Sequence, residues 1–153
     1  MKFFTSLLTI LLTLGLNNAY AAINSWEQIQ SPDQAIYEIE DTEGNSLSIN
    51  CSTITANRKF YGHSVWYYGE PAGATNAEDN ALDIVVNGKK YRIPTIDGSD
   101  SSEQAWTNFI KAVGGAKHFS LLINDNVAAG FTVEGEHLNE TFFQNCGHSR
   151  PNK

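Results

Sequence analysis

The chain contains two cysteines, Cys51 and Cys146, so one intramolecular disulfide is the single pairing open to it. Such a bond would join an early strand to the C-terminus and close most of the chain into one loop. Two free thiols or an intermolecular bridge are the alternatives, and the choice depends on the compartment, because disulfides persist mainly outside the cytosol.

The N-terminus predicts export. Lys2 precedes an apolar run over residues 3–16, which is followed by two asparagines and then by Ala19-Tyr20-Ala21. This is the order of a secretory signal peptide, and we place cleavage after Ala21. A membrane anchor is the alternative, but the run is shorter than the roughly 20 residues that cross a bilayer. We therefore expect signal peptide 1–21, a single globular domain 22–153 without a membrane anchor, and a periplasmic location, with secretion as the alternative.

The charge balance indicates the kind of partner. The chain has 10 lysines and arginines against 17 aspartates and glutamates, a net charge of −7 at pH 7. Anionic partners such as nucleic acid and the surface of an acidic membrane are disfavoured by this balance. We expect a protein partner with a basic surface, and a homodimer remains open.

The sequence predicts β-strands over most of the domain. Period-two alternation, or a high content of β-branched and aromatic residues, predicts strands over 35–40, 46–51, 60–68, 82–86, 89–93, 118–123 and 127–133. The pair Asn87-Gly88 predicts a tight type I′ turn between two of them. Residues 25–34 are interpreted as a segment that leads into the first strand, and residues 70–76 as a loop.

Two helices complete the predicted fold. Ser101, with Gln104 three residues later, has the spacing of a helix-capping box, and Gly114-Gly115 ends the apolar pattern that follows. Leu138, Phe142 and Cys146 fall on one face of a short C-terminal helix. The predicted class is α+β, an antiparallel sheet or sandwich-like domain with one amphipathic helix, a short C-terminal helix and one disulfide.

The sequence carries no complete catalytic or metal-binding pattern. Its four histidines lack the one-turn spacing of a metal pair, although His137, Cys146 and His148 could be imagined around zinc. Signatures of an activated nucleophile are missing. Glu134, Glu136 and Glu140 could act as paired carboxylates, but a solvated acidic face is the simpler interpretation. We expect no catalytic residues, no metal and no cofactor.

One segment stands out as a contact surface. On a strand through Trp66-Tyr67-Tyr68, the outer two side chains share one face and Tyr67 takes the other, so one aromatic face is expected near the surface. Tyrosine and tryptophan are favoured at protein contacts, so we take Trp66, Tyr67 and Tyr68 as candidate partner-binding residues, together with Glu70, Glu78 and Asp79. Carboxylates nearby would form an acidic rim, and they are Glu70, Glu78, Asp79 and Asp83. The alternative is that core and helix cover both faces of the strand.

The order of elements resembles a bacterial layout. It has an opening Trp26, a strand ending in Cys51, a Leu-Asp-Ile-Val-Val strand, an amphipathic helix and a closing segment 131–135 that leads through a helix to Cys146. This layout is similar to small two-cysteine exported β-domains, including type VI secretion accessory and immunity-type proteins and, more distantly, the invasion-associated locus B group. The resemblance implies a periplasmic protein that works by binding, and it supplies no catalytic residues.

These observations favour a periplasmic binding or inhibitor protein, such as an immunity protein that neutralises a cell-wall-targeting toxin. An accessory component of a secretion system is the second hypothesis. An uncharacterised periplasmic hydrolase is the third.

Overall fold

The structure is a computed structural model that describes residues 23–52, 62–97, 99–135, 137–138 and 140–147. Two antiparallel sheets and two helices make up this part of the chain. The predicted signal peptide, with its cleavage point, lies outside the described residues.

The first sheet has five strands in sequence order. They are β1 (Glu27–Gln30), β2 (Gln34–Glu40), β3 (Ser46–Ser52), β4 (Ser64–Gly69) and β5 (Gly73–Asn76). Alternation places Tyr37, Ile49 and Val65 on the inner face, where the register aligns them across three strands. Their outward neighbours are polar or only partly buried, as expected for a sheet with one face in the core.

The second sheet has four strands in the order β7-β6-β8-β9. They are β6 (Leu82–Val86), β7 (Lys89–Arg92), β8 (His118–Ile123) and β9 (Asn126–Thr132). The predicted hairpin is confirmed, because Asn87 and Gly88 have φ values of 51° and 76° between β6 and β7. The β8–β9 register shifts at Leu121 and Leu122, which marks a bulge.

The helices cover the core. Helix α1 (Asp100–Gly114) buries Trp106, Phe109, Ile110 and Val113, a stripe at helical spacing. Helix α2 (Glu140–Cys146) buries Phe142 and Cys146, and Tyr37 of β2 meets the Phe142 ring edge-on at 4.8 Å. Neither helix in the described ranges has both the length and the apolar content of a membrane span.

Cys51 and Cys146 are bonded to each other, with Cα atoms 5.1 Å apart. The bond joins the end of β3 to the end of α2, and both residues are fully buried. The predicted α+β sandwich-like class, its two helices and its disulfide are therefore confirmed.

Four local predictions need correction. The cap of α1 is Ser99, whose side chain accepts from the Ser102 backbone N–H, and not Ser101. The predicted loop 70–76 contains β5, and the segment 25–34 contains β1. The strand predicted over 60–68 begins at Ser64, since Gly62 lies in a turn with a φ of 111°, and residues 60–61 lie outside the described part.

Candidate protein-binding surface

Strand β4 divides its three aromatic residues between two faces. Trp66 and Tyr68 point outward, and their rings stack with centroids 6.3 Å apart and planes 19° apart. Tyr68 is 44% exposed, whereas Tyr67 is fully buried in the core. Of the three aromatic residues predicted for partner binding, Trp66 and Tyr68 lie on the outward face, whereas Tyr67 needs correction because strand alternation turns its side chain into the core.

The outward pair lies in a polar and acidic sheet face. Register places Ser48 and then Glu38 beside Trp66, and Ser46 and then Glu40 beside Tyr68. Side chains that face each other across neighbouring strands lie on the same side of the sheet. The aromatic pair is thus an apolar ridge next to two glutamates of β2.

A buried network joins the β2–β3 turn to the β4–β5 turn. The Tyr67 hydroxyl lies 3.1 Å from both the Asn45 side-chain oxygen and the Glu70 backbone carbonyl. Asn45 in turn donates from its backbone and side chain to the carboxylate of buried Asp41, at 2.8 Å each. Burial raises the pKa of Tyr67, and the negative charges of Asp41, Glu70 and Glu43 raise it further. The network holds the β2–β3 turn against the β4–β5 turn.

These two turns form one wall of an open groove of about 510 Å³, which we call the acidic groove. Its lining residues are Glu43, Gly44, Asn45, Tyr68, Gly69, Glu70, Gly73, Ala74 and Ala128. It therefore combines two exposed glutamates with the exposed Tyr68, and no described lysine or arginine lines it. Gly69 is required here, because a Cβ atom at this position would overlap Asn45 and the Tyr67 hydroxyl.

A smaller groove of about 170 Å³ lies at the other end of the aromatic pair and is lined by Trp66, His63 and Glu78, among others. The Asn76 side-chain oxygen accepts from the backbone N–H groups of Glu78 and Asp79, which fixes this turn. Both of these acidic side chains are exposed. The structure thus places Glu70 at one end of the ridge and Glu78 and Asp79 beyond the other.

Asp83 does not belong to the acidic rim. It lies on β6 in the other sheet, is 2% exposed, and pairs with Arg92 at 2.7 Å. The register places Asp83 opposite Arg92 of β7, and this cationic neighbour compensates the cost of burying the carboxylate.

The residues considered for catalysis and metal binding are scattered or already occupied. Cys146 is in the disulfide, so its sulfur is not a metal ligand. Glu134, His137 and Glu140 are exposed, while Glu136 and His148 lie outside the described residues. Within the described ranges, no group of three histidine, cysteine or carboxylate side chains is placed to hold a metal ion.

Sequence reasoning missed the part of the acidic groove that is contributed by Glu43, with its turn neighbours Gly44 and Asn45, and by Ala128. Glu43 lies in the turn after β2, and Ala128 lies in the other sheet. The first could have been found by pairing the predicted strands, because the start of β3 is adjacent to the end of β4 in any meander. The second depends on how the two sheets pack, for which the sequence carries no local signal.

Comparison with known proteins gives the family. The YfjT family model matches residues 24–137, which include every strand of both sheets and helix α1. The chain is 27% identical over 119 residues to the uncharacterized protein YkfB of Escherichia coli strain K12, covering 76% of this chain and 77% of that protein. It is also 27% identical over 118 residues to the uncharacterized protein YfjT of the same strain, covering 76% of each. No solved structure matches the chain. The match over most of the domain shows that the chain belongs to the YfjT family.

Proposed function

We propose that the protein is an exported binding protein that holds a basic protein partner on the outer face of its five-stranded sheet and inhibits it. The observation that carries this proposal is the stacked pair Trp66 and Tyr68, which stands on an open sheet face between grooves that contain glutamates. Large stiff aromatic side chains are the commonest anchors of protein interfaces.

The electrostatics support a basic partner. The chain carries a net charge of −7. Complementary charge around an aromatic anchor speeds association and selects against acidic competitors. Cell-wall-degrading enzymes act on an anionic polymer, so a basic surface around their active sites fits both their substrate and this acidic face. We therefore propose that the inhibited partner is such an enzyme.

The export proposal rests on the predicted signal peptide and on the disulfide. A buried disulfide favours a compartment outside the cytosol, where such bonds persist. Mass spectrometry of the protein from its native host tests this point. We expect an N-terminus at Ala22 and two oxidised cysteines, and an unprocessed chain with both thiols reduced would contradict it.

Site-specific photo-crosslinking tests the binding face. A photoreactive phenylalanine analogue is placed at Tyr68, and in a matched control at Phe143, an aromatic residue of similar exposure (38%) on α2. The expected result is a discrete crosslinked partner from Tyr68 in the native host and none from Phe143. Equal crosslinking from the two positions would refute the proposed face.

The captured partner is then tested for inhibition in a peptidoglycan-clearing assay. We expect the doubly substituted variant Trp66→Ala/Tyr68→Ala to bind at least about thirtyfold more weakly, the loss typical of a truncated hot spot. Phe143→Ala serves as the control and should inhibit like the unmodified protein. If a captured partner keeps its activity when it is bound, the binding part of the proposal stands and the inhibition part is refuted.

A further inference from the structure

The two sheets have four edge strands, and one differs from the others. Strands β1, β5 and β7 have four residues each, and β7 is rich in lysine and arginine. Strand β9 has seven residues and contains no charged residue and no proline. Natural proteins usually shorten or charge an edge to prevent further pairing. The β9 edge is therefore the one suited to accept another strand.

The direction of the free backbone groups on β9 follows from its neighbours. Val133 donates its N–H to Lys117 on the β8 side, and Glu134 donates to the Asn24 carbonyl on the opposite side, at 2.8 Å each. Successive residues of an antiparallel strand present their backbone groups to opposite edges. Because the backbone of Val133 faces β8, the alternate residues Thr132 and Gly130 present their backbone groups to the outward edge. The register aligns these two residues with His118 and Ser120 of β8.

The N-terminal part of β9 borders the acidic groove. Asn24 pairs with the chain just beyond the C-terminal end of β9, whereas Ala128, near its N-terminal end, lines the groove with Glu43 and Glu70. An extended segment paired with Gly130 and Thr132 would continue toward these carboxylates and the Tyr68 ring. A lysine or arginine side chain in the groove would then meet two glutamates and an aromatic face, both of which attract a cation.

We propose that β9 takes up an extended, basic segment of the partner as a fifth strand of its sheet, with a lysine or arginine of that segment in the acidic groove. This inference rests on the proposed function and adds how the partner is recognised. Main-chain pairing supplies general affinity for an extended chain, and the groove supplies the preference for a cation. A second copy of this acidic chain is a poor occupant, because β9 itself brings no cation to the groove.

The test uses a short peptide of alternating lysine and valine with blocked ends, added to protein expressed from its complete chain. Two control peptides are matched to it. One has the same sequence with every backbone amide N-methylated, so it keeps its charges but cannot pair. The other has glutamate in place of each lysine.

Amide hydrogen exchange followed by NMR reports pairing residue by residue. We expect the lysine peptide to slow exchange of Gly130 and Thr132 at least about tenfold, as formation of a new ladder hydrogen bond requires. Phe131 is the internal reference, because its amide already faces β8 and should change little. The N-methylated and glutamate peptides should leave all three unchanged.

Protein variants separate pairing from charge. Gly130→Pro removes one outward N–H, and Gly130→Ala is its control, since a Cβ there meets nothing within 4 Å. The proline variant should abolish the peptide's effect and the alanine variant should keep it. Glu43→Gln/Glu70→Gln should weaken peptide binding roughly tenfold at low salt, with the loss shrinking as salt is added. These glutamine variants also keep the test decisive if the proline variant fails to fold.

Any one of three results in the peptide experiment would overturn the inference. They are unchanged exchange at Gly130 and Thr132 at millimolar lysine peptide, equal protection by the N-methylated peptide, and protection without peptide that rises with protein concentration, which would show a second copy on this edge. None of them touches the proposed function, which is judged separately by crosslinking from Tyr68. If a partner crosslinks at Tyr68 but does not protect the β9 amides, the proposed binding face stands and the added strand is refuted.

Discussion

Trp106 donates its indole N–H to the backbone carbonyl oxygen of Cys146 at 2.7 Å, inside the core. The bond links α1 to the last residue of α2, where a helix leaves carbonyl groups without partners within the helix. The same cysteine is bonded to β3. The C-terminal helix is thus tied to the rest of the domain at one residue by a covalent bond and by a buried hydrogen bond.

The first prediction concerns this hydrogen bond. Trp106→Phe removes the donor, leaves the Cys146 carbonyl unsatisfied and opens space around a fully buried ring. We expect a loss of about 3 kcal/mol in the free energy of unfolding, measured by urea denaturation. Trp66→Phe, at a partly exposed position, is the control and should cost under about 1 kcal/mol. Equal losses in the two variants would show that the bond to Cys146 adds nothing.

The second prediction concerns the disulfide, which joins residues 95 positions apart. A loop of this length restricts the unfolded chain strongly, so Cys51→Ala/Cys146→Ala should lower the free energy of unfolding by about 4 kcal/mol. Urea denaturation with and without a reducing agent measures this loss. Reduction should destabilise the unmodified protein by a similar amount and leave the variant unchanged. A midpoint insensitive to reduction in both proteins would contradict the prediction.

Sequence patterns predicted the elements whose signals are local. The Asn87-Gly88 turn, the alternation of Leu47, Ile49 and Cys51, and the buried face of α2 each follow from a few consecutive residues. Strands β1 and β5 were not predicted, because four-residue segments such as Glu27–Gln30 and Gly73–Asn76 become strands by pairing with a longer neighbour. The cap of α1 was misplaced by two residues, since Ser99 and Ser101 both precede a helical pattern and only the fold selects between them.

The candidate surface was predicted in part for the same reason. Alternation along β4 separated Trp66 and Tyr68 from Tyr67, and chain proximity brought in Glu70. Asp83 was misplaced, because proximity in sequence does not show that the chain crosses to another sheet between β5 and β6. The acidic groove needs two turns and a strand of the second sheet, and that arrangement is fixed by tertiary packing.

The third prediction concerns the pair Arg92 and Asp83. One carboxylate oxygen of Asp83 accepts from Arg92, and the other is buried without a hydrogen-bond partner within the described residues. Arg92→Met leaves a buried charge uncompensated and should cost about 3 kcal/mol of unfolding free energy. Asp83→Val should cost less, because Arg92 is half-exposed and can be hydrated. Urea denaturation of both variants and the double variant gives the coupling energy, and a larger loss for Asp83→Val would refute this account.

His63 is partly buried and lines the smaller groove. Its Nδ1 accepts the Ser52 backbone N–H at 2.9 Å, and its ring stacks on Trp106 with centroids 5.1 Å apart. An accepting Nδ1 requires the neutral ring. Burial lowers the pKa of His63 to about 4 from the ordinary 6.5.

The fourth prediction follows from this pKa. Between pH 6.5 and 4 the unfolded chain binds a proton at His63 that the folded chain does not, so stability is complete above pH 6.5 and falls as the pH is lowered toward 4. The loss attributable to His63 should reach about 2 kcal/mol at pH 5. Urea denaturation at pH 7 and pH 5 measures this loss. The variant His63→Asn keeps an acceptor for the Ser52 N–H but does not titrate, so it should lose correspondingly less stability between the two pH values. If His63→Asn and the unmodified protein lost the same stability between these two pH values, the histidine would not be held neutral by the fold.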